Sequence, residues 1–424
     1  MIPELIEIVP LSQPITAAIT VPGSKSLTNR ALVLAALAEG ETVLEGALWS
    51  EDTQVMVECL QDLGFMVNVS NDPREPCNRS LTVYGLSGNV PRGGTAAQPL
   101  ELFVGNAGTA ARFLAALVCL GQGVYRLHGV PRMHDRPQAA LFQALRQLGY
   151  RIDAPQDRLP ALIHGQGPKA GRCQVSIEQS SQFASALILC AKVGAWTVEI
   201  TGENAEESPY AAMTQHLRGV FPARGGRFPI EPDASSGSYF WAAGFLQTPA
   251  PGPSSIIVRD WPSSGWQIDS RFPTFWPLPA TVSRADQLGD SIMTAIVLAP
   301  FATRATRFTE LGRLRVQECE RVQALRTELT KCGATVVEQG DDLTIQPSTL
   351  HGAQIDTYND HRLAMCFAIL GLKIPGIKIK NPACAKKTFP NFFQKLAAPP
   401  PTGLGATILD AAGQRLSHAE LFAG

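Results

Sequence analysis

The basic residues of this chain gather in a few short strings rich in glycine, proline and asparagine. Lys25 and Arg30 sit in PGSKSLTNR, Arg112 ends NAGTAAR, and Arg132 and Arg136 fall in PRMHDRP. Arg313, Arg315 and Arg321 crowd LGRLRVQECERV, His361 and Arg362 follow in YNDHR, and Lys386 and Lys387 lie in ACAKKTFP. Charged residues on polar helix faces are ordinarily just solvated, but most of these are set in turns. A guanidinium's planar fork matches carboxylate and phosphate oxygens in pairs, whereas lysine acts as a point charge. Several of each, converging, imply a ligand that carries both phosphate and carboxylate groups.

Two acidic residues stand apart. Asp290 precedes an apolar run in QLGDSIMTAIVLA, and Glu318 lies inside the arginine string. An Asp in the first of these places is ordinarily a helix N-cap. A carboxylate among cations would instead be ionised and able to accept a proton, and partial burial would suit it to acid work. The nine cysteines show no C-x-x-C pair and the seven histidines no metal-ligand spacing. That pattern fits small buried thiols in a reducing compartment, with no disulfide framework and no metal site.

Composition narrows the field further. The chain has 424 residues, 45% of them hydrophobic, with 36 Lys plus Arg against 37 Asp plus Glu. Disorder is excluded by the hydrophobic content. The even charge balance argues against a nucleic-acid or membrane-surface binder, so a cationic site must come from local concentration. The N-terminal MIPELIEIVPLSQ is acidic and broken by prolines, unlike a signal peptide. The apolar stretch at 183–196 is interrupted by Lys192 and too short to span a bilayer. A soluble cytoplasmic protein is expected.

One pattern recurs among the elements that must position these groups. Helical leucine spacing ends in Leu-Gly or Cys-Gly, and a β-prone run follows, at 55–69, 141–153 and 324–339. A weaker copy lies at 213–225. The first two copies stand roughly 85 residues apart, which indicates a large repeated α/β unit rather than a short solenoid. Between the copies, small polar residues lead into apolar helices at 21–40, 102–121, 177–194 and 231–245. Helix N-termini offer unpaired N–H groups and a positive dipole end, so four such starts favour an anionic ligand over simple capping. The stretch 246–286 reads as strands and loops without a full helix, and the run from Pro399 as an appendage outside the core.

Taken in order, PGSKS–NR, GNAGTA–R, PRM–RP, SSQF, SPY, DASS–SYF, GDS–MT, RV–E–ER, YNDHR–AM and KTFP closely resemble the 5-enolpyruvylshikimate-3-phosphate synthase family. The resemblance runs from about Val21 to Leu396. It implies an α/β fold of two similar lobes built from repeated βαβαββ units, an inside-out α/β barrel pair with the active site in the interlobe cleft. The first lobe would span 22–232, the second 1–21 plus 233–398, with 399–424 as a C-terminal tail. The implied reaction moves the enolpyruvyl group of phosphoenolpyruvate onto the 5-hydroxyl of shikimate 3-phosphate and releases phosphate. It needs neither metal nor organic cofactor. The partners would be these small molecules alone, with no nucleic acid or membrane, and the protein a monomer.

The same resemblance assigns roles. Lys25, Ser26, Arg30, Ser180, Ser181, Gln182 and Tyr210 would bind shikimate 3-phosphate, together with Asp290, Arg313 and Gln317. Lys25, Gly108, Thr109, Arg136, Gln182, Arg321, Arg362 and Lys387 would hold phosphoenolpyruvate. Asp290 would take the 5-hydroxyl proton and Glu318 give one to the methylene carbon, with Lys25 the third catalytic group. Gln317 replaces the family's usual Lys, Arg313 stands where Asn is common, Glu207 replaces a Ser, and Phe113 replaces a Pro. The stretch 267–289 is shorter than the family's unit, which suggests a degenerate repeat. Arg313 and Gln317, four residues apart, would share a face if the string coils helically, so that the arginine supplies the charge the glutamine lacks. Phe113 would narrow the space around Gly108 and weaken inhibition by glyphosate. Two rivals are a UDP-N-acetylglucosamine enolpyruvyl transferase and a catalytically weakened shikimate-phosphate binder. The former family uses Lys-Asn and a loop cysteine, where this chain has Lys25-Ser26 and no cysteine between Cys119 and Cys173.

Overall fold

Each of the three Leu-Gly or Cys-Gly signals closes a helix. In the computed structural model, which describes residues 2–202, 208–247 and 254–424 (Ser208 by its backbone alone), these helices are Glu51–Asp62, Ala139–Gln147 and Arg321–Lys331. Strands Met66–Asn71, Arg151–Asp153 and Val336–Gln339 follow them. Gly64, Gly149 and Gly333 sit just past the helix ends at φ of +92°, +84° and +93°, a conformation that costs any other residue more. The weaker copy also holds, as helix Ser208–Val220 and strand Gly226–Pro229. Glu207, one of the departures in sequence, lies outside the described residues.

The chain forms two units, Gly23–Glu231 and a second made of Met1–Pro22 with Pro232–Gly424. One sheet pattern repeats through both. In Gly23–Glu231, strand Gly226–Pro229 runs parallel to Glu39–Leu48, which pairs antiparallel with Asn78–Leu86, itself antiparallel to Met66–Asn71. Leu100–Phe103, Gln122–His128, Ala161–Gln166 and Arg151–Asp153 repeat that order of one parallel and two antiparallel pairs. In the other unit, Thr281–Ser283, Thr306–Thr309, Asp342–Ile345 and Val336–Gln339 do the same. Each unit adds a two-stranded parallel pair, Gly171–Ser176 with Trp196–Thr201 in the first and Ala17–Ile19 with Ile256–Val258 in the second.

Against the sheets lie helices buried over nearly their whole length: Lys25–Leu37, Gly108–Leu117 and Ser181–Gly194 in one unit. Ala234–Gln247, Ile292–Leu298 and His361–Gly371 correspond to them in the other. Helices inside and half-exposed strands outside are the inside-out α/β arrangement. Between Gln247 and Ile292 the described chain forms two three-residue strands and the 3-10 turn Ile268–Phe275, with no α-helix.

The C-terminal segment is not an appendage. Strand Ile408–Asp410 pairs antiparallel with Leu5–Ile8, which pairs with Ile377–Lys380, which runs parallel to Gln354–Ile355. The segment thus supplies the last strand of a fourth sheet in the repeated order. Leu404, Ala406, Ile408 and Leu421 join the unit's core. The prolines and glycines that suggested a loose tail make its turns, and its sparse leucines carry the burial. Leu404, fully buried, should cost about 2–5 kcal/mol when changed to Ala. Urea unfolding of Leu404→Ala would show this as a lower midpoint; an unchanged midpoint would mean that the segment packs without stabilising its unit.

Candidate active site

In the unit Gly23–Glu231 the polar groups cluster at helix starts. Ser24 caps helix Lys25–Leu37, its Oγ accepting from the Leu27 N–H at 3.5 Å. Lys25 is the first residue of that helix, and its Nζ stands 3.2 Å from the buried carboxylate of Asp52. That contact orients the lysine in advance, with Ser26 half-buried beside it. Arg30, one turn on, is buried. Its Nε donates to Thr214 Oγ1 at 2.7 Å, Nη2 to Ser185 Oγ at 3.0 Å and Nη1 to the Ser26 carbonyl at 2.9 Å.

Helix Gly108–Leu117 begins without a side-chain cap. Two guanidinium groups stand over its first turn: a Cβ placed on Gly108 would meet Arg112 Nη1 at 2.4 Å and Arg136 Nη2 at 2.7 Å. Arg112 is fixed by the Pro137 carbonyl at 2.9 Å and by Gln182 Oε1 at 3.3 Å. Arg136 is fixed by the Asn106 carbonyl at 3.0 Å, and Thr109 accepts from Asn29 Nδ2 at 2.6 Å. Uncapped helix N–H groups under two arginines make an anion cradle. Ser180 caps helix Ser181–Gly194 by accepting from the Gln182 N–H at 3.2 Å; Ser181 is buried and Tyr210 half-buried. Phe113 does not break its helix. Its ring lies 5.2 Å from the guanidinium of Arg30, so the bulk that replaces proline is packed against a cation in the core.

In the other unit the acids and arginines are interlocked. Asp290 is not the cap of helix Ile292–Leu298, a position Ser291 holds. Its carboxylate lies 3.0 Å from Arg362 Nη2 and 3.4 Å from Arg284 Nη2. Burial pushes the Asp290 carboxyl up, but Arg362, then Arg321 and Arg284, outweigh it and hold the group well below the usual carboxylate range, with Glu318 opposing them. Arg362 also donates to Ser235 Oγ at 3.1 Å and Tyr239 Oη at 3.5 Å.

Arg321 meets Asp360 through Nε at 2.6 Å and Nη2 at 3.3 Å. The same Nη2 lies 2.8 Å from Glu318 Oε2, and Nη1 donates to Gln317 Oε1. Asp360 in turn caps helix His361–Gly371, accepting from the Arg362 N–H at 2.8 Å. Nearby, Asp269 is buried and accepts from the Ser291 N–H at 2.8 Å. Burial and the adjacent Asp290 push its carboxyl up to about 6.

Asp290, Glu318, Gln317, Arg321 and Arg362 are thus brought together through direct contacts. Arg313 and Lys387 are buried on the 3-10 turns Gly312–Val316 and Pro382–Lys387. The expected Arg313–Gln317 face does not form. A 3-10 turn has about three residues per turn, so residues four apart point in different directions. Gln317, moreover, leaves the turn at φ −92°, ψ −139° to reach Arg321. Sequence reasoning assigned no role to Arg284, Asp360, Ser235 or Asp269. Asp360 and Ser235 fall inside the quoted strings YNDHR and DASS, whereas Arg284 and Asp269 carry no local signal.

Among the described residues, no group of three or more His, Cys, Asp or Glu side chains is placed to hold a metal, and no helix is long and apolar enough to cross a membrane. The family model described as EPSP synthase (3-phosphoshikimate 1-carboxyvinyltransferase) matches residues 9–221 and 279–396. The 3-phosphoshikimate 1-carboxyvinyltransferase of Opitutus terrae is 37% identical, over 93% of this chain and 97% of its own. That of Pseudomonas syringae pv. syringae is 38% identical, over 92% and 96%. By fold, the chain is similar to EPSP synthase from Acinetobacter baumannii, with a TM-score of 0.69 at 19% identity over 96% of this chain and all of that one. It is likewise similar to the enolpyruvyl transferase NikO from Streptomyces tendae, with a TM-score of 0.70 at 15% identity over 97% and 99%. With well over half its length matched by the family model and its full-length relatives above 30% identity, the chain belongs to the EPSP synthase family.

Proposed function

We propose that the chain acts as a cytoplasmic monomer without a cofactor and transfers the enolpyruvyl group of phosphoenolpyruvate to the 5-hydroxyl of shikimate 3-phosphate. One observation carries the mechanism: each carboxylate assigned to proton transfer is held by an arginine that an anionic substrate would claim. Asp290 lies on Arg362, and Glu318 on Arg321. A carboxyl held strongly ionised is a weak base, because catalytic efficiency needs a proton affinity near the working pH. The carboxylate and phosphate of phosphoenolpyruvate, taken by Arg321, Arg362 and Lys387, loosen both pairs. When the substrate is in place, Asp290 is free to accept a proton, and Glu318, released from Arg321, takes one up from water and can donate it.

Lys25, Ser26, Ser180, Ser181, Gln182 and Tyr210 orient shikimate 3-phosphate. Arg30 supports the turn carrying Lys25 and Ser26 by holding the Ser26 carbonyl, and offers its charge to the same substrate, as does Arg313, while Gln317 offers its neutral amide. Gly108, Thr109 and Arg136, with Lys25 and Gln182, receive phosphoenolpyruvate. Asp290 takes the 5-hydroxyl proton as that oxygen bonds to C2 of phosphoenolpyruvate, and Glu318 delivers a proton to C3. The tetrahedral ketal then returns a proton from its new methyl group to Glu318, the C2–O bond to phosphate breaks, and Asp290 hands the hydroxyl proton to the departing phosphate. Gln317 aligns Arg321 against Glu318.

Mixing both substrates with the purified chain should release inorganic phosphate in step with the enolpyruvyl product. Binding without release would support the weakened-binder reading, and release with UDP-N-acetylglucosamine as sole acceptor would support the other rival. Asp290→Ala should keep substrate binding and lose about two or more powers of ten in kcat; near-normal turnover would remove it from proton transfer. Gly108→Ala should fold, since the atoms it meets are the ends of flexible side chains. Displacing both guanidiniums should raise the KM for phosphoenolpyruvate roughly tenfold or more, the scale of one charge-assisted hydrogen bond. An unchanged KM would place that substrate elsewhere.

A further inference from the structure

The 3-10 turn Ile268–Phe275, with the residue before it, lies in the stretch 222–278 that the family model leaves unmatched, and also in the stretch 267–289 that looked degenerate in sequence. Its side chains nevertheless reach two separate helix starts. Gln267 Oε1 accepts from the Ala234 N–H at 3.0 Å and its Nε2 donates to the Pro232 carbonyl at 2.8 Å, so it brackets Asp233, the residue just before helix Ala234–Gln247. Two residues on, Asp269 Oδ1 accepts from the Ser291 N–H at 2.8 Å, at the turn that carries Asp290. Both side chains are buried, each 6% exposed. Free N–H groups at a helix start need an acceptor. Asp233 caps helix Ala234–Gln247 itself, its Oδ1 accepting from the Ser236 N–H at 2.7 Å, and Gln267 from a distant turn meets the Ala234 N–H in addition.

The two helix starts share one purpose. Ser235 and Tyr239, on the helix held by Gln267, receive the guanidinium of Arg362. Asp290, on the turn held by Asp269, receives the same guanidinium at 3.0 Å. We propose that Gln267 and Asp269 are positioning residues for the reaction, Gln267 setting the seat of Arg362 and Asp269 the seat of Asp290. A single eight-residue turn would thereby fix the separation of acid and arginine. This explains why a shortened repeat can lose its helix and still serve the site. The inference rests on the reading of Asp290 as the group that takes the hydroxyl proton.

Steady-state kinetics with both substrates tests it on the full chain. Asp269→Ala should lower kcat by about tenfold or more, the scale of a lost buried hydrogen bond, while leaving both KM values within about threefold. On an Asp290→Ala background the same change should cost nothing further, because a positioning residue acts through the group it positions. Asp269→Asn keeps an acceptor oxygen for the Ser291 N–H and should retain kcat within about threefold. Gln267→Leu should raise the KM for phosphoenolpyruvate, through Arg362, by about fivefold or more. Normal kcat in Asp269→Ala, or a further loss on the Asp290→Ala background, overturns the role of Asp269. An unchanged KM in Gln267→Leu overturns that of Gln267. Should Asp269→Ala fail to fold, Asp269→Asn decides: near-normal turnover supports the role, and a loss as deep as that of Asp290→Ala overturns it. If Asp290→Ala is inactive and Asp269→Ala is normal, this inference alone fails. If Asp290→Ala is itself active, the reading of Asp290 fails and carries this inference with it.

Discussion

A guanidinium taken out of water must have its charge and its donors met, or it costs several kcal/mol. Arg30, Arg112, Arg284 and Arg321 are all nearly or completely inaccessible to solvent in this protein. That constraint organises the rest. In one unit the partners include neutral dipoles, hydroxyls of Thr214 and Ser185 for Arg30 and a carbonyl and an amide for Arg112, beside the ion pair of Lys25 with Asp52. In the other the compensation is anionic, through Asp290, Glu318 and Asp360. The difference has a chemical consequence. A cation held by neutral dipoles keeps its full charge for a ligand, whereas a cation held by carboxylates can bind an anion only by releasing them.

Asp360 is where packing, capping and chemistry meet. It is fully buried, caps the helix that presents Arg362, and carries both near oxygens of the pair with Arg321. Breaking such a buried pair by removing one partner costs about 3–5 kcal/mol, since the other charge is stranded. The helix start and the arginine therefore hold each other, and neither Arg321 nor Arg362 can drift without the other. The repeated sheet order makes this possible by placing a buried helix behind each polar start.

Much of this was legible in the chain itself. Leu-Gly and Cys-Gly helix ends are local events, decided by a glycine at positive φ, and all of them were found where the letters placed them. The strings around Lys25, Gly108, Arg321 and Arg362 named most of the cluster because charge set in turns is unusual in any sequence. What stayed hidden was long-range. Nothing near Asp269 announces that it serves Ser291, and Arg284 reads as one more surface arginine. The C-terminal segment misled because proline and glycine content reports turns, not whether the few leucines between them find a core. Arg313 and Gln317 misled for a sharper reason: residues four apart share a face at 3.6 per turn, and the stretch winds at three.

The charge composition now has a physical reason. A chain of 424 residues with only 17% charged and a net charge of −1 has no broad positive field to draw in trianionic substrates. Its cations are instead concentrated where water is excluded, and there attraction is far stronger per charge than at the surface. Unpaired, such a concentration would be too costly to fold. Paired with Asp290 and Glu318, its charge is met within the fold, and the same carboxylates that neutralise it are the groups proposed for proton transfer. One set of contacts thus solves two problems: it makes the buried arginines affordable without substrate, and it keeps the acids silent until an anion displaces them. On this account the Asp290–Arg362 and Glu318–Arg321 pairs oppose substrate binding slightly and support turnover strongly. That is the direction in which binding energy must be spent for it to accelerate a reaction.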